Sequence, residues 1–168
     1  RDPILYPEDL MIVISQSGET ADTLEALRSV KKQGIPTLAI VNVVGSSIAR
    51  EADQVMYTNA GPEIAVATTK AYSAQLIALY LLAIHFAKER EQISGQDVSG
   101  FIKDLKKLPG QIELLLHNKE NIQKFANRYI AAKDVFFMGR GIDYAISLEG
   151  SLKLKEISYI HSEAYAAG

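Results

Sequence analysis

Three charged residues, Glu149, Lys153 and Glu156, stand at i, i+4 and i+7 in the segment L-E-G-S-L-K-L-K-E-I. On a helix that spacing puts all three on one face. A carboxylate–ammonium–carboxylate face suits the transfer of a proton between adjacent carbons. One carboxylate serves as base and then as acid, and the ammonium polarises oxygens or steadies an enolate-like intermediate. The same pattern also describes a solvated salt-bridge ladder, which is the commoner meaning of E-x-x-x-K-x-x-E. Two features weigh against the ladder. Leu148, Leu152, Leu154 and Ile157 spread apolar side chains around much of the same segment. A Gly139-Arg140-Gly141 turn also precedes it, after the strand-like Val135-Phe136-Phe137-Met138, and open parallel sheets keep their sites at strand carboxyl ends.

A second cluster lies near the other end. Met11, Ile12, Val13 and Ile14 form an apolar run of the kind that fits a strand buried on both faces. Ser15-Gln16-Ser17-Gly18 interrupts it, and from Glu19 the pattern becomes helical through Thr20, Leu24, Leu27 and Val30. A strand–turn–helix of this form aims open backbone N–H groups and the positive end of a helix dipole at one place. Ser15, Ser17, Thr20 and Thr23 add hydroxyls there. A phosphate can be held by such a turn without lysine. Helix capping alone would account for one Ser or Thr; three hydroxyls, a glutamine and Gly18 in one turn favour the anion site.

The elements that must carry these residues follow in order. A strand at 10–15, a helix at 19–33 closed by Gly34, and a strand at 37–41 ending at Asn42 form a βαβ unit, hence a parallel sheet. A short helix over 47–52 and a strand at 54–57 come next, then a long helix from about Ile64 to Glu91. That helix is apolar nearly all round in its middle, which predicts burial or a subunit interface. Residues 92–131 read as connecting helices, and a strand at 135–138 leads through the G-R-G turn into a helix over 142–158. The fold class is α/β.

Composition narrows the function classes. The chain has 168 residues, and its 48% hydrophobic content is enough for a core. A net charge of −2 gives no electrostatic case for nucleic acid or a membrane surface. With no cysteine there is no disulfide, thiolate metal site or cysteine nucleophile. The longest unbroken apolar run, Leu76 to Ile84, is too short to span a bilayer, and no leader-like stretch is visible. A soluble cytoplasmic protein is expected.

S-Q-S-G-E-T-A-D-T-L resembles the phosphate loop of the sugar isomerase (SIS) fold. More narrowly, it resembles the isomerase part of the glutamine–fructose-6-phosphate aminotransferase family. The resemblance extends to N-A-G-P-E-I-A-V-A-T-T-K-A-Y (59–72), to G-R-G (139–141) and to L-E-G-S-L-K-L-K-E-I-S-Y-I-H-S-E-A-Y-A-A-G (148–168). It implies a Rossmann-like parallel sheet of SIS type with flanking helices, truncated at both ends. Residues 1–91 would be the later part of one SIS unit, 92–131 connecting helices, and 132–168 the opening part of a second. It implies that Glu156 transfers the proton between carbons 1 and 2 of an open-chain sugar, with Lys153 and Glu149 lining the site. Ser15, Gln16, Ser17 and Thr20 would bind the phosphate, and Val66 and Thr68 would contact the sugar. Bacterial members often carry serine at the Thr68 position, a change that keeps the hydroxyl.

The resemblance further implies fructose 6-phosphate and glucosamine 6-phosphate as ligands, a glutaminase domain in the parent chain, a homodimer, and no metal or organic cofactor. The family's ring-opening histidine lies in an H-G-P segment and its imine-forming lysine near the far C-terminus; neither matches a residue here, and His161 is not that histidine. The chain is therefore expected to be a fragment that binds sugar phosphate weakly and does not turn over alone. Two other functions stay open on sequence: another SIS sugar-phosphate isomerase or deglycase, and a non-catalytic sugar-phosphate sensor that needs the loop but not the charged face.

Overall fold

The computed structural model describes residues 3–65 and 67–168. The chain forms two compact units: one runs to Ile64 and resumes over Thr68–Phe101, and the other contains Ile102–Gly168.

In the first unit, β1 (Met11–Ser15), α1 (Ala21–Lys31), β2 (Thr37–Val41), α2 (Ser47–Glu51) and β3 (Gln54–Tyr57) alternate, followed by α3 (Lys70–Glu89) and α4 (Gly95–Leu105), whose last residues belong to the second unit. The strands lie in the order β1-β2-β3 and all run parallel. Val13, Ala39 and Val41 pack with Leu27 of α1 and Ile48 of α2 to form the core. Ile40, on the opposite face of β2, is also fully buried, and α3 approaches that strand. β1 departs from the doubly buried strand that its composition suggests: Val13 and Ser15 are buried, whereas Ile14 is exposed. Only the face carrying Val13 packs into the core cluster. Thr37 and Asp53 pin the base of the sheet, since Thr37 N and Oγ1 both donate to Asp53 Oδ2 and Asp53 N donates to Thr37 Oγ1.

The long helix is shorter than the sequence suggests. It begins at Lys70, and residues 58–69 form no helix or strand among those described. Ala71 and Ala78 are buried, while Tyr80, Leu81 and Phe86 are exposed. The uninterrupted run 76–84 understates this element: by length and composition α3 could cross a membrane, the single such helix among the described residues. Its approach to β2 is equally that of a sheet-covering helix.

In the second unit, α5 (Leu108–His117) and α6 (Lys119–Asn127) precede β4 (Asp134–Gly139), α7 (Ile142–Ser158) and β5 (His161–Ala166). β4 and β5 pair in parallel from Asp134↔His161 to Gly139↔Ala166. α7 packs on both strands. Gly150 makes this possible on β4, because a Cβ there would lie 3.1 Å from Phe137 Cε1. On β5, buried Ser162 donates its hydroxyl to the Ser151 carbonyl at 2.7 Å.

Candidate functional site

Sheet register decides what gathers at the end of the first sheet. Ser15 pairs with Val41 and Val41 with Tyr57, so the three strands finish level. The loop after β1, Asn42 after β2, and Thr58 after β3 therefore leave the sheet together.

The loop is built from its own hydroxyls. Buried Ser15 accepts from Gly18 N at 3.0 Å and shares a 2.9 Å bond with Thr20 Oγ1. Ser17 Oγ accepts from Glu19 N at 3.2 Å. Thr20 is the N-cap of α1 but makes no cap bond; its hydroxyl is turned to Ser15 instead. The first-turn N–H groups of α1 thus keep their capacity for an anion. Gly18 has φ +67°, which favours glycine.

The loop is also tied to its neighbours. Ile48 N donates to Gly18 O (2.9 Å) and Asn42 N to Gln16 O (3.1 Å). Glu19 Oε1 accepts from Ser47 N at 2.8 Å, and hydrogen bonding from the Ser47 side chain first and its backbone second lowers the carboxyl's pKa. Glu19 in this way caps α2, whose own N-cap residue, Ser46, makes no side-chain cap bond. Sequence reasoning finds the hydroxyls and places Asn42 at a strand's carboxyl end, but has no reason to single out Glu19 or Ser46 or to give Asn42 a role. G-S-S at 45–47 signals only a helix start, and an Asn at a strand end is ordinary.

Thr68 lies in the 58–69 segment, half-buried. Val66 lies outside the described residues.

In the second unit, the G-R-G turn is tight. A Cβ at Gly139 would overlap the Asp143 carbonyl and sit 2.5 Å from Tyr144 N, and Gly141 has φ +58°. The turn launches α7 directly off β4, and α7 brings the three charged residues together. Lys153 Nζ lies 2.7 Å from Glu156 Oε2 and 3.4 Å from Glu149 Oε1. The side chains of Glu149 and Lys153 are 24% and 20% exposed and that of Glu156 33%. A solvated ladder would place the charges outermost. His161 sits apart from this group, with Nδ1 2.9 Å from Asp134 Oδ1. No cluster of three or more His, Asp or Glu side chains able to hold a metal occurs among the described residues.

The hydrogen bond to Glu156 is the main cause raising the Lys153 pKa, with Glu149 adding attraction and burial opposing. Because the folded value lies above the unfolded one, the stability this lysine contributes is fully present below its ordinary pKa of about 10.4. It is lost as pH rises through the higher folded value. Lys153→Met is therefore expected to melt a few degrees below wild type near pH 8. The gap should narrow above the raised lysine value, as thermal unfolding across an alkaline pH series will show. A gap independent of pH would mean that packing, not charge, is the lysine's contribution.

The model of the SIS domain matches residues 2–85 and 128–168. Glutamine--fructose-6-phosphate aminotransferase (isomerizing) of Caldanaerobacter subterraneus subsp. tengcongensis is 62% identical over all 168 residues, and the enzyme of the same name from Clostridium tetani is 56% identical. In both cases the chain spans 28% of the relative's length. Among solved structures, the C-terminal domain of glucosamine-fructose-6-phosphate aminotransferase from Francisella tularensis superposes with a TM-score of 0.95 at 42% identity, covering 99% of this chain and 47% of that one.

Proposed function

The chain belongs to the SIS domain family, and on that premise we propose that it is the isomerase portion of a glutamine–fructose-6-phosphate aminotransferase. In this reading it binds fructose 6-phosphate and, with glutamine-derived ammonia, takes part in its ketose–aldose conversion to glucosamine 6-phosphate. Ser15, Gln16, Ser17 and Thr20 take the phosphate, and Val66 and Thr68 contact the sugar. Glu156 moves the proton between carbons 1 and 2, while Lys153 and Glu149 hold and polarise. Residues 1–91 supply the later part of one SIS unit and 132–168 the opening part of the next, with 92–131 connecting them. A glutaminase domain in the parent chain, a homodimer and a cytoplasmic setting complete the reading. The names of the relatives support it at identities of 62% and 56%.

The observation that carries it is the gathering of Glu149 and Glu156 around Lys153 on α7, at 3.4 and 2.7 Å. A sensor needs the phosphate loop but has no use for a carboxylate–ammonium–carboxylate group. The test is to purify the complete gene product and assay glucosamine 6-phosphate formed from fructose 6-phosphate with glutamine or ammonia. Product formation is expected. Binding of fructose 6-phosphate without product would replace the enzyme with a sugar-phosphate sensor.

A further inference from the structure

We infer that Asn42 is a positioning residue whose side chain holds the turn at 58–61 for sugar binding while leaving phosphate recognition to the loop after β1; this rests on the function proposed above.

Asn42 stands directly after β2, level with the ends of β1 and β3. Its groups serve two masters. The backbone N–H donates to Gln16 O at 3.1 Å, on the phosphate-loop side. The side chain turns the other way: Oδ1 accepts from Ala60 N at 2.8 Å and from Thr58 Oγ1 at 3.1 Å, and Nδ2 donates to Gly61 O at 2.8 Å. Both lone pairs of the amide oxygen and one of its two N–H donors are thereby used.

The segment needs such a holder. Thr58 N still donates to Val41 O at 3.0 Å, but from Asn59 to Thr69 the described residues lie in no helix or strand, and the chain turns through positive φ at both Asn59 and Gly61. Its further anchor is Lys70, whose Nζ donates to Pro62 O at 2.6 Å. In sequence, Thr68 follows this turn and precedes α3, which ties the turn to the residue proposed to contact the sugar.

Division of labour follows from which atoms do what. Replacing the side chain severs the bonds to 58, 60 and 61 but keeps the backbone N–H that supports Gln16. Asn42→Ala in the complete gene product is therefore expected to weaken fructose 6-phosphate binding about tenfold or more, while the dissociation constant of inorganic phosphate stays within about twofold. Titration calorimetry with each probe reads both constants. Thr58→Val removes one of the three side-chain bonds and keeps the shape of its own side chain. It should shift the sugar-phosphate constant in the same direction by about two- to threefold, even if Asn42→Ala fails to fold. Equal loss for both probes, or no loss for either, would overturn the inference, because a residue supporting the sheet end as a whole would move the two together. A wild-type protein that does not bind fructose 6-phosphate would overturn the proposed function itself and Asn42's role with it, an outcome visible before any variant is made.

Discussion

Glu156→Gln in the complete protein is expected to lower glucosamine 6-phosphate formation by about 10²–10⁴-fold, the range for removing a positioned general acid–base group. Binding of fructose 6-phosphate should stay within a few-fold. The amide keeps the size of the side chain and an oxygen able to accept from Lys153, so little besides proton transfer changes. Lys153 engages Glu156 through Oε2 at 2.7 Å, while Oε1 has no protein partner among the described residues. A carboxylate held by one oxygen and open at the other can pick up a proton from one carbon and return it to the next. Glu149, the other carboxylate within reach of Lys153 at 3.4 Å, supplies the control. If Glu149→Gln abolishes turnover and Glu156→Gln does not, the two glutamates exchange roles. If neither matters, the charged triad is structural and the enzyme reading loses its chief support.

How much of this was legible in the sequence depends on whether local pattern or distant partners decide each element. Met11 to Ile14 followed by S-Q-S-G announces strand and turn because both signals are local, and β1 ends at Ser15 as expected. The G-R-G turn is equally local, and α7 occupies Ile142–Ser158. The start of the long helix is not. I-A-V-A-T-T-K looks helical by composition, yet the helix begins at Lys70, and the stretch before it is held by Asn42 and by the Lys70–Pro62 bond. β5 is hidden for the same reason. H-S-E-A-Y-A shows no apolar run, and the strand exists through pairing with β4 and the buried Ser162–Ser151 contact. The charge triad was legible as a spacing, but not the distances that put Lys153 nearer Glu156 than Glu149.

Gly18→Ala is expected to abolish measurable sugar-phosphate binding, or weaken it by about two orders of magnitude, through two separable costs. The first is conformational. At φ +67° an L-residue costs roughly 1–2 kcal/mol relative to glycine. The second is steric, since a Cβ at Gly18 would overlap Ser46 Oγ and sit 2.5 Å from Ser46 Cβ. Ser46 is buried at the start of α2, so relief must come from moving the loop away from α2. That movement breaks the Ile48 N–Gly18 O and Ser47 N–Glu19 bonds, and it disturbs the Ser15–Gly18 and Ser15–Thr20 bonds that place the hydroxyls. The partner site distinguishes the two costs. Ser46 Oγ is buried without a hydrogen-bond partner, and Ser46 makes no cap bond, so Ser46→Gly alone should cost only a few tenths of a kcal/mol. Combined with Gly18→Ala it removes both overlapping atoms while leaving the φ penalty. The double variant should therefore recover most of the steric loss and remain about 5- to 30-fold weaker than wild type. Fructose 6-phosphate titrations on the four proteins of the cycle measure it. Full binding by Gly18→Ala alone would mean that the loop takes a different conformation when it holds phosphate.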